Sequence, residues 1–318
     1  MGYNLQNSNV NGFINFYKPL GMTSMEAVRR IKKLAGMPRK IGHAGTLDPL
    51  ATGLLPICVG KGTRLMENIL EGSKEYQVQI QLGAVTETYD AEGEIQITGS
   101  ADGIHRSDIE QCISAFIGKS EQIPPMYSAV KVNGKRLYQL AREGREIDRT
   151  PRSITIYDIR VLTFHEPMLT LMVQCGKGVY IRSLAHDLGQ RLGCGGFVTE
   201  LERLRCGSFK KSESVTLLEL ETKTCNDGNG WIGCLEPIDF VLQGLKSVVV
   251  SDSNKPLLLN GMSVDVDFGL QEIRGLESFR AYDTAGRFLA LVQCDPLTGL
   301  WKPFKVFNEN NTSCYAPN

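Results

Sequence analysis

The sequence predicts a body of mixed helices and strands followed by a small β-barrel domain. Up to about Leu245, segments with an apolar residue every three or four positions are interleaved with segments of two-residue alternation, and beyond it only short β-rich runs follow. A length of 318 residues suits a substantial core and about two domains. No apolar run approaches the roughly 20 residues of a membrane span.

Residues 12–16 predict a strand that ends at Lys18-Pro19. Thr23 and Glu26 stand at capping-box spacing before Ala27, Val28, Ile31 and Leu34, which predicts a helix. The glycine-rich segment 42–53 is too punctuated for a regular element. Over Lys74–Leu82, Tyr76, Val78, Ile80 and Leu82 share one face and Gln77, Gln79 and Gln81 the other, as in a half-buried strand. Ser107 and Glu110 pattern a second capping box, with Ile109, Cys112, Ile113 and Phe116 as the apolar stripe. Residues 122–152, broken by Pro124-Pro125, Gly134 and Gly144, read as a protruding basic insertion with a short helix near 137–141.

Residues 153–164 and Met168–Cys175 are expected to pair as a hairpin through Glu166-Pro167. A helix from Tyr180 carries Ile181, Leu184, Leu188 and Leu192 on one side. Residues 222–230 read as a loop before a last helix at 237–242. Short strands then follow at Ser247–Val250, 263–266, 279–283 and Phe288–Cys294, with a hairpin turn at Asp283-Thr284-Ala285-Gly286.

The composition, 42 % apolar and 22 % charged, is that of an ordinary globular protein. A formal net charge of zero does not advertise a nucleic-acid binder, but the charges are unevenly placed. Lys18, Arg29, Arg30, Lys32, Lys33, Arg39, Lys40, Lys61 and Arg64 face only Glu26 and Asp48 in the same stretch. Lys131, Lys135, Arg136, Arg142, Arg145, Arg149 and Arg152 face Glu143, Glu146 and Asp148. One such run is ordinarily a solvated helix face; two in a neutral chain point as much to a phosphate-binding surface. The nine cysteines include no C-x-x-C pair and read as reduced, packed thiols of a cytoplasmic protein. Cys194, Cys206, Cys225 and Cys234 lack the short-spaced pairs of a zinc site. The polar residues 1–10 do not read as a signal peptide.

Rival nucleotide motifs fail. A P-loop ending at Gly60-Lys61-Gly62 would need glycine at 55 and Ser or Thr at 62, where Leu55 and Gly62 stand. Gly193-Cys194-Gly195 is followed by Val198 where a dinucleotide fingerprint needs glycine. What remains is an acid in a loop. Read as a bare dipeptide, Asp48-Pro49 is a turn; the flanking Gly42, Gly45 and Gly53 allow close backbone approach to a ligand.

The whole run Gly42-His43-Ala44-Gly45-Thr46-Leu47-Asp48-Pro49-Leu50-Ala51-Thr52-Gly53 resembles the signature loop of the TruB-type pseudouridine synthases. Four more segments resemble that family in order: Lys18-Pro19-Leu20-Gly21-Met22-Thr23-Ser24, Lys74-Glu75-Tyr76, residues 123–131 and residues 176–184. The C-terminal part resembles a PUA-type RNA-binding domain more loosely, through Tyr282-Asp283, Gly286-Arg287-Phe288 and Lys302-Pro303. The resemblance implies an α+β fold: a mixed, largely antiparallel sheet in a catalytic domain over 1–245, an RNA-gripping insertion at about 122–152, and a PUA-like domain over 246–318.

It also implies a cofactor-free isomerisation of uridine 55 in the TψC loop of tRNA, with no metal, no membrane and no obligate protein partner, by a monomer. Asp48 is then the catalytic carboxylate, as nucleophile or as base, and Arg182 its partner. Tyr76 stacks on the flipped uracil, its hydroxyl serving the proton at C5. Tyr180 and Leu201 wall the pocket, and His43 positions RNA rather than moving protons. Lys18 is either a structural lysine or a phosphate contact, and the local basic excess favours the contact. A guide-RNA-dependent relative fits less well, since no long lysine-rich tail is present. The competing class is an RNA-binding or RNA-folding protein that performs no chemistry.

Overall fold

The computed structural model describes residues 10–36, 40–132, 134–266 and 277–307, and at 226 and 227 the backbone alone. The polar segment up to residue 9, Arg39 of the first basic run and Cys314 lie outside the described residues.

In chain order the body begins with β1 (Gly12–Lys18), α1 (Ser24–Leu34), β2 (Ile41–His43) and β3 (Ala51–Val59). A 3₁₀ turn and α2 (Met66–Glu71) lead to β4 (Lys74–Leu82), the small hairpin of β5 (Ala84–Val85) and β6 (Gln96–Ile97), α3 (Arg106–Ser114) and β7 (Gly118–Gln122). The insertion holds β8 (Lys131–Val132), β9 (Lys135–Arg136) and α4 (Leu137–Arg142), which gather their own small core around Met126, Leu137 and Leu140. Then come β10 (Arg152–His165), β11 (Met168–Cys175), α5 (Ile181–Arg191), β12 (Gly196–Cys206), β13 (Phe209–Lys210), α6 (Leu217–Asp227) and β14 (Leu235–Glu236).

One ten-stranded sheet runs β14-β1-β3-β12-β4-β11-β10-β7, with β13 paired to β12 and β2 to β3. Its pairings are antiparallel except that between β3 and β12. This is the mixed, largely antiparallel sheet expected. Both faces of β1 and β3 are covered. Ile14, Phe16, Leu55, Ile57 and Val59 join α1, α3, α5 and α6 in one core, while Phe13, Leu54 and Cys58 point to the other side. A strand buried on both faces reads as a continuous apolar run, which conceals its period.

That other side meets a second sheet, β15 (Ser247–Val250), β16 (Ser278–Asp283), β17 (Phe288–Cys294) and β18 (Trp301–Val306), in that order. Tyr282, Phe288, Leu291 and Phe307 pack there against Phe13, Cys58, Ile238 and Leu242. The second sheet encloses its own core around Val248, Phe279, Val292 and Trp301, and α7 (Lys255–Leu259) covers it. No helix among the described residues is long and apolar enough to cross a membrane.

Several local expectations are corrected. Segment 42–53 is regular at both ends: Gly42 and His43 lie in β2, and Ala51, Thr52 and Gly53 in β3. Thr23 caps α1 by accepting from the Glu26 amide, but the Glu26 carboxylate turns to Arg30 at 2.8 Å, so only half the box forms. The cap of α3 is His105, whose amide donates to Asp108, while Glu110 pairs with Arg106. The loop expected at 222–230 is mostly helix α6, because Thr216 and Glu219 close a capping box and Gly228 ends the helix at φ 66°. The helix expected at 237–242 is a single 3₁₀ turn, Phe240–Leu242. Burial of Ile238 and the Tyr282 hydroxyl, donating to Asp239 at 2.6 Å, anchor its N-terminal flank. The strand expected at 263–266 reduces to one bridge between Val264 and Trp301.

Gly53 decides how closely β3 and β12 approach. It has φ +97°, and a Cβ there would lie 2.3 Å from the Arg203 carbonyl oxygen. Gly53→Ala is therefore expected to destabilise the fold by about 2–3 kcal/mol. Urea unfolding reads this directly, and an unchanged midpoint would contradict the close approach.

Candidate active site

The loop bearing Asp48 fills a notch in the sheet. Along one edge of β3, residues 51–53 pair with β12 and residues 57–59 pair with β2. The chain from 44 to 50 crosses the gap between these two partners. Its backbone is fixed at successive points. The Ala44 amide donates to Pro56 and the Ala51 amide to Asp48. Ser24 at the start of α1 both accepts from the Leu47 amide, at 2.9 Å, and donates to the Leu47 carbonyl, at 2.8 Å. Lys18 at the end of β1 donates to the carbonyls of Pro19, Met22 and Pro49. A loop held this way presents its side chain at a fixed place without helical or strand geometry.

The Asp48 side chain is 35 % exposed, open enough to meet a ligand, and its Oδ2 lies 2.8 Å from Nη2 of Arg182. Arg182 stands in the first turn of α5 and is 5 % exposed. Its other amino group, Nη1, lies 3.2 Å from the buried Asp90 carboxylate and donates to the Thr88 carbonyl, while Nη2 also donates to Tyr127. Asp90 in turn accepts from the Thr88 hydroxyl at 2.6 Å and from the Glu92 amide. One guanidinium thus joins two carboxylates from separate loops, a geometry that a planar fork of donors suits. Burial pushes the Asp48 carboxyl above the usual aspartate range; Arg182 opposes this, Asp90 adds to it and Lys18 opposes it.

Next to Asp90, Tyr89 adopts φ 62°, uncommon for a residue with a side chain, and its ring stacks on His186 at 4.0 Å. The start of α5 is itself anchored. The buried Gln122 amide accepts from the Tyr180 N–H and donates to the Tyr180 carbonyl. Across the sheet, Gly53, Arg203 and Tyr76 form one rung, and Ala51, Leu201 and Val78 another. Tyr76 and Leu201 therefore reach the same sheet region as the end of the Asp48 loop. Burial pushes the Tyr76 phenol up to about 12.

The model of the N-terminal domain of the TruB family pseudouridylate synthases matches residues 31–181, and that of the tRNA pseudouridylate synthase B C-terminal domain matches 182–243. A tRNA pseudouridine synthase B of Clostridium novyi (strain NT) is 43 % identical over 282 residues, covering 89 % of this chain and 95 % of that one. The chain belongs to the TruB family of pseudouridylate synthases. A second relative, the tRNA pseudouridine synthase B of Dehalococcoides mccartyi (strain ATCC BAA-2100), is 41 % identical over 298 residues, 94 % of this chain and 97 % of its own. Among solved structures, an H/ACA ribonucleoprotein bound to a substrate RNA containing 2'-deoxyuridine matches at TM-score 0.72 and 24 % identity, over 96 % of this chain and 87 % of that one. A Cbf5-Nop10-Gar1 complex matches at TM-score 0.69 and 26 % identity, over 96 % and 85 %. The first of these speaks to the fold alone.

As a TruB-family enzyme the chain is a pseudouridine synthase, an isomerase. Of the residues expected at its site, Asp48 and Arg182 are in contact, and Tyr180 is near enough for the Asp48 charge to act on its phenol. His43 ends β2, with a buried Nδ1 that has no hydrogen-bond partner among the described residues. Burial and the Arg203 charge lower its pKa.

Lys18 is corrected. It is fully buried with three carbonyl acceptors, and burial lowers it to about 8, so it braces the loop from beneath and cannot reach a phosphate. Cys194 and Cys206 are buried in separate cores and Cys225 is exposed; among the described residues no three metal-type side chains gather. Sequence reasoning missed Asp90, Gln122 and Arg203. The polar run Thr86-x-Thr88-x-Asp90 after a strand was a usable signal for the first. Arg203, inside β12, gave none.

Proposed function

We propose that this synthase converts uridine 55 in the TψC loop of tRNA to pseudouridine, with Asp48 as the catalytic carboxylate and without a cofactor, as a monomer in the cytoplasm. The observation that carries the reading is the partly open Asp48 carboxylate held 2.8 Å from a buried arginine in a fully braced loop. The names of the curated relatives supply the substrate class. The isomerisation breaks the bond from N1 to the sugar, joins C5 to the same carbon, and exchanges the proton on C5 for one on N1. It needs a carboxylate at the sugar, a surface for the detached base and a place for the C5 proton. Asp48 serves the first; Tyr76, with Tyr180 and Leu201 as walls, serves the second by stacking, and its hydroxyl serves the third. Extracting the base costs a few kcal/mol, part of which stacking offsets. His43 occupies the approach to the pocket.

The exposed cations of α1 (Arg29, Arg30 and Lys33) and of the insertion (Lys131, Lys135, Arg136, Arg142 and Arg145) suit the phosphates of an RNA arm. Residues 246–318 serve as a PUA-like RNA-binding domain in this reading. Arg149 differs from its neighbours, since its guanidinium donates to the Pro124 carbonyl and is largely buried. Replacing Arg142 and Arg145 with Gln is expected to weaken RNA binding and reduce the slope of log affinity against log salt by about 2. Binding unchanged across a salt series would remove the insertion from the contact surface.

Ionised Asp48 is required in this reading. Its pKa lies above the usual aspartate value, so activity is lost as pH falls through a point higher than about 3.9. A single-turnover pH profile whose acid limb lies at or below that value would contradict it. The reading as a whole is tested by incubating the purified protein with an unmodified tRNA transcript and mapping pseudouridine by position. Product at uridine 55 is expected; product elsewhere, or none, refutes it.

A further inference from the structure

Arg203 is 1 % exposed at the centre of the main sheet. The largest influences on its guanidinium are Tyr76, Cys206 and Cys175, its charge also acts on Lys18, Lys74 and His43, and among the described residues no carboxylate forms an ion pair with it. A cation taken out of water without a counter-anion is strongly disfavoured unless its hydrogen bonds and surroundings compensate. Its Nη2 donates to the Gly45 carbonyl at 2.9 Å and its Nε to the Leu54 carbonyl at 2.7 Å. These carbonyls stand on either side of Asp48, one in the loop and one in the strand after it. Directly across the β4–β12 ladder from Arg203 is Tyr76, and opposed residues of an antiparallel pair lie on the same face.

We propose that Arg203, itself held by the Gly45 and Leu54 carbonyls, is a positioning residue for the isomerisation that acts through the Tyr76 phenol, stabilising the phenolate that takes the C5 proton. The inference rests on the reading above that Tyr76 handles this proton. In that step the phenol has released its proton to water. The phenolate oxygen takes the proton from C5, the C5–H electron pair forms the C5–C6 double bond, and the former C6–N1 double-bond pair settles on N1. N1 then takes a proton from water. The phenolate carries a full negative charge only during this sequence, and Arg203 is the cation on its rung of the sheet. A phenol pushed up to about 12 by burial needs such a neighbour, and Arg203 opposes that rise.

The test is single-turnover conversion of an unmodified tRNA transcript tritiated at uridine C5, with tritium release and RNA affinity measured on the same enzymes. Arg203→Met is expected to slow conversion and tritium release together by about 10²–10³-fold. RNA affinity stays within about 3-fold of wild type, and in a Tyr76→Phe background the same substitution adds no more than about 3-fold. Losses that multiply in the double variant, or a loss confined to RNA affinity, overturn the inference and leave the Tyr76 reading in place. A Tyr76→Phe enzyme as fast as wild type refutes the Tyr76 reading, and the inference falls with it. If Arg203→Met does not fold, Arg203→Lys carries the comparison, since it keeps the charge but offers a point donor for two separated carbonyls. It is expected to fold and to show a smaller loss that is again not additive with Tyr76→Phe; an additive loss overturns the inference.

Discussion

Asp48→Asn is expected to lower single-turnover conversion by roughly 10⁴-fold or more while leaving RNA affinity nearly intact. Asparagine keeps the size and shape of the side chain and removes only the charge and its nucleophilic or basic oxygen. The same substitution is expected to leave the thermal midpoint unchanged or raise it. The sign follows from the shift. A carboxyl whose folded pKa is raised contributes stability that is present at low pH and lost as pH rises through the folded value, so at neutral pH the ionised Asp48 weighs against the fold. Arg182 loses nothing essential, because Asp90 remains as its counter-ion at 3.2 Å. A variant that is inactive yet no less stable marks a residue kept for chemistry. Activity within ten-fold of wild type would remove Asp48 from the reaction.

The second large effect concerns Arg182→Met. Here stability and activity fall together. The substitution strips the ion-pair partner from Asp48 and from Asp90, and Asp90 is 1 % exposed. Leaving a buried charge unpaired costs about 3–5 kcal/mol. The two carbonyls of Thr88 and Tyr127 lose their donor as well. Calorimetric or denaturant unfolding is expected to show the loss, and adding Asp90→Asn is expected to restore part of the stability but none of the turnover. Equal stability of Arg182→Met and wild type would mean that the buried pair contributes nothing to the fold.

Asp48 lies in a contiguous motif, and Arg182 follows Tyr180-Ile181 in another, so both could be marked from the chain alone. Their contact could not, and neither could the shared role of Asp90. Strand β4 was legible because one of its faces is buried and the other is not, which leaves a two-residue alternation. Strand β3 was hidden because it is covered on both faces. The second half of helix α6 carries little sequence signal, since its described residues there are polar and mostly exposed and only its cap and Leu220 announce it. The charges around Lys18 in sequence point it toward RNA, yet three backbone carbonyls determine where its ammonium lies.

By itself the sequence determined the elements whose burial is one-sided, the loop that carries the acid, and the segments that resemble the TruB family. Tertiary structure alone decided the parallel pairing of β3 with β12, the notch it opens for the Asp48 loop, and the meeting of Asp90 with Arg182. It also set Arg203 against Gly45, 158 residues away. The physical reason is that periodicity and capping are local signals, spanning a few residues. Which strands lie side by side, and in what register, is fixed by the joint burial of distant segments, and a buried charge can be recognised only once its surroundings exist.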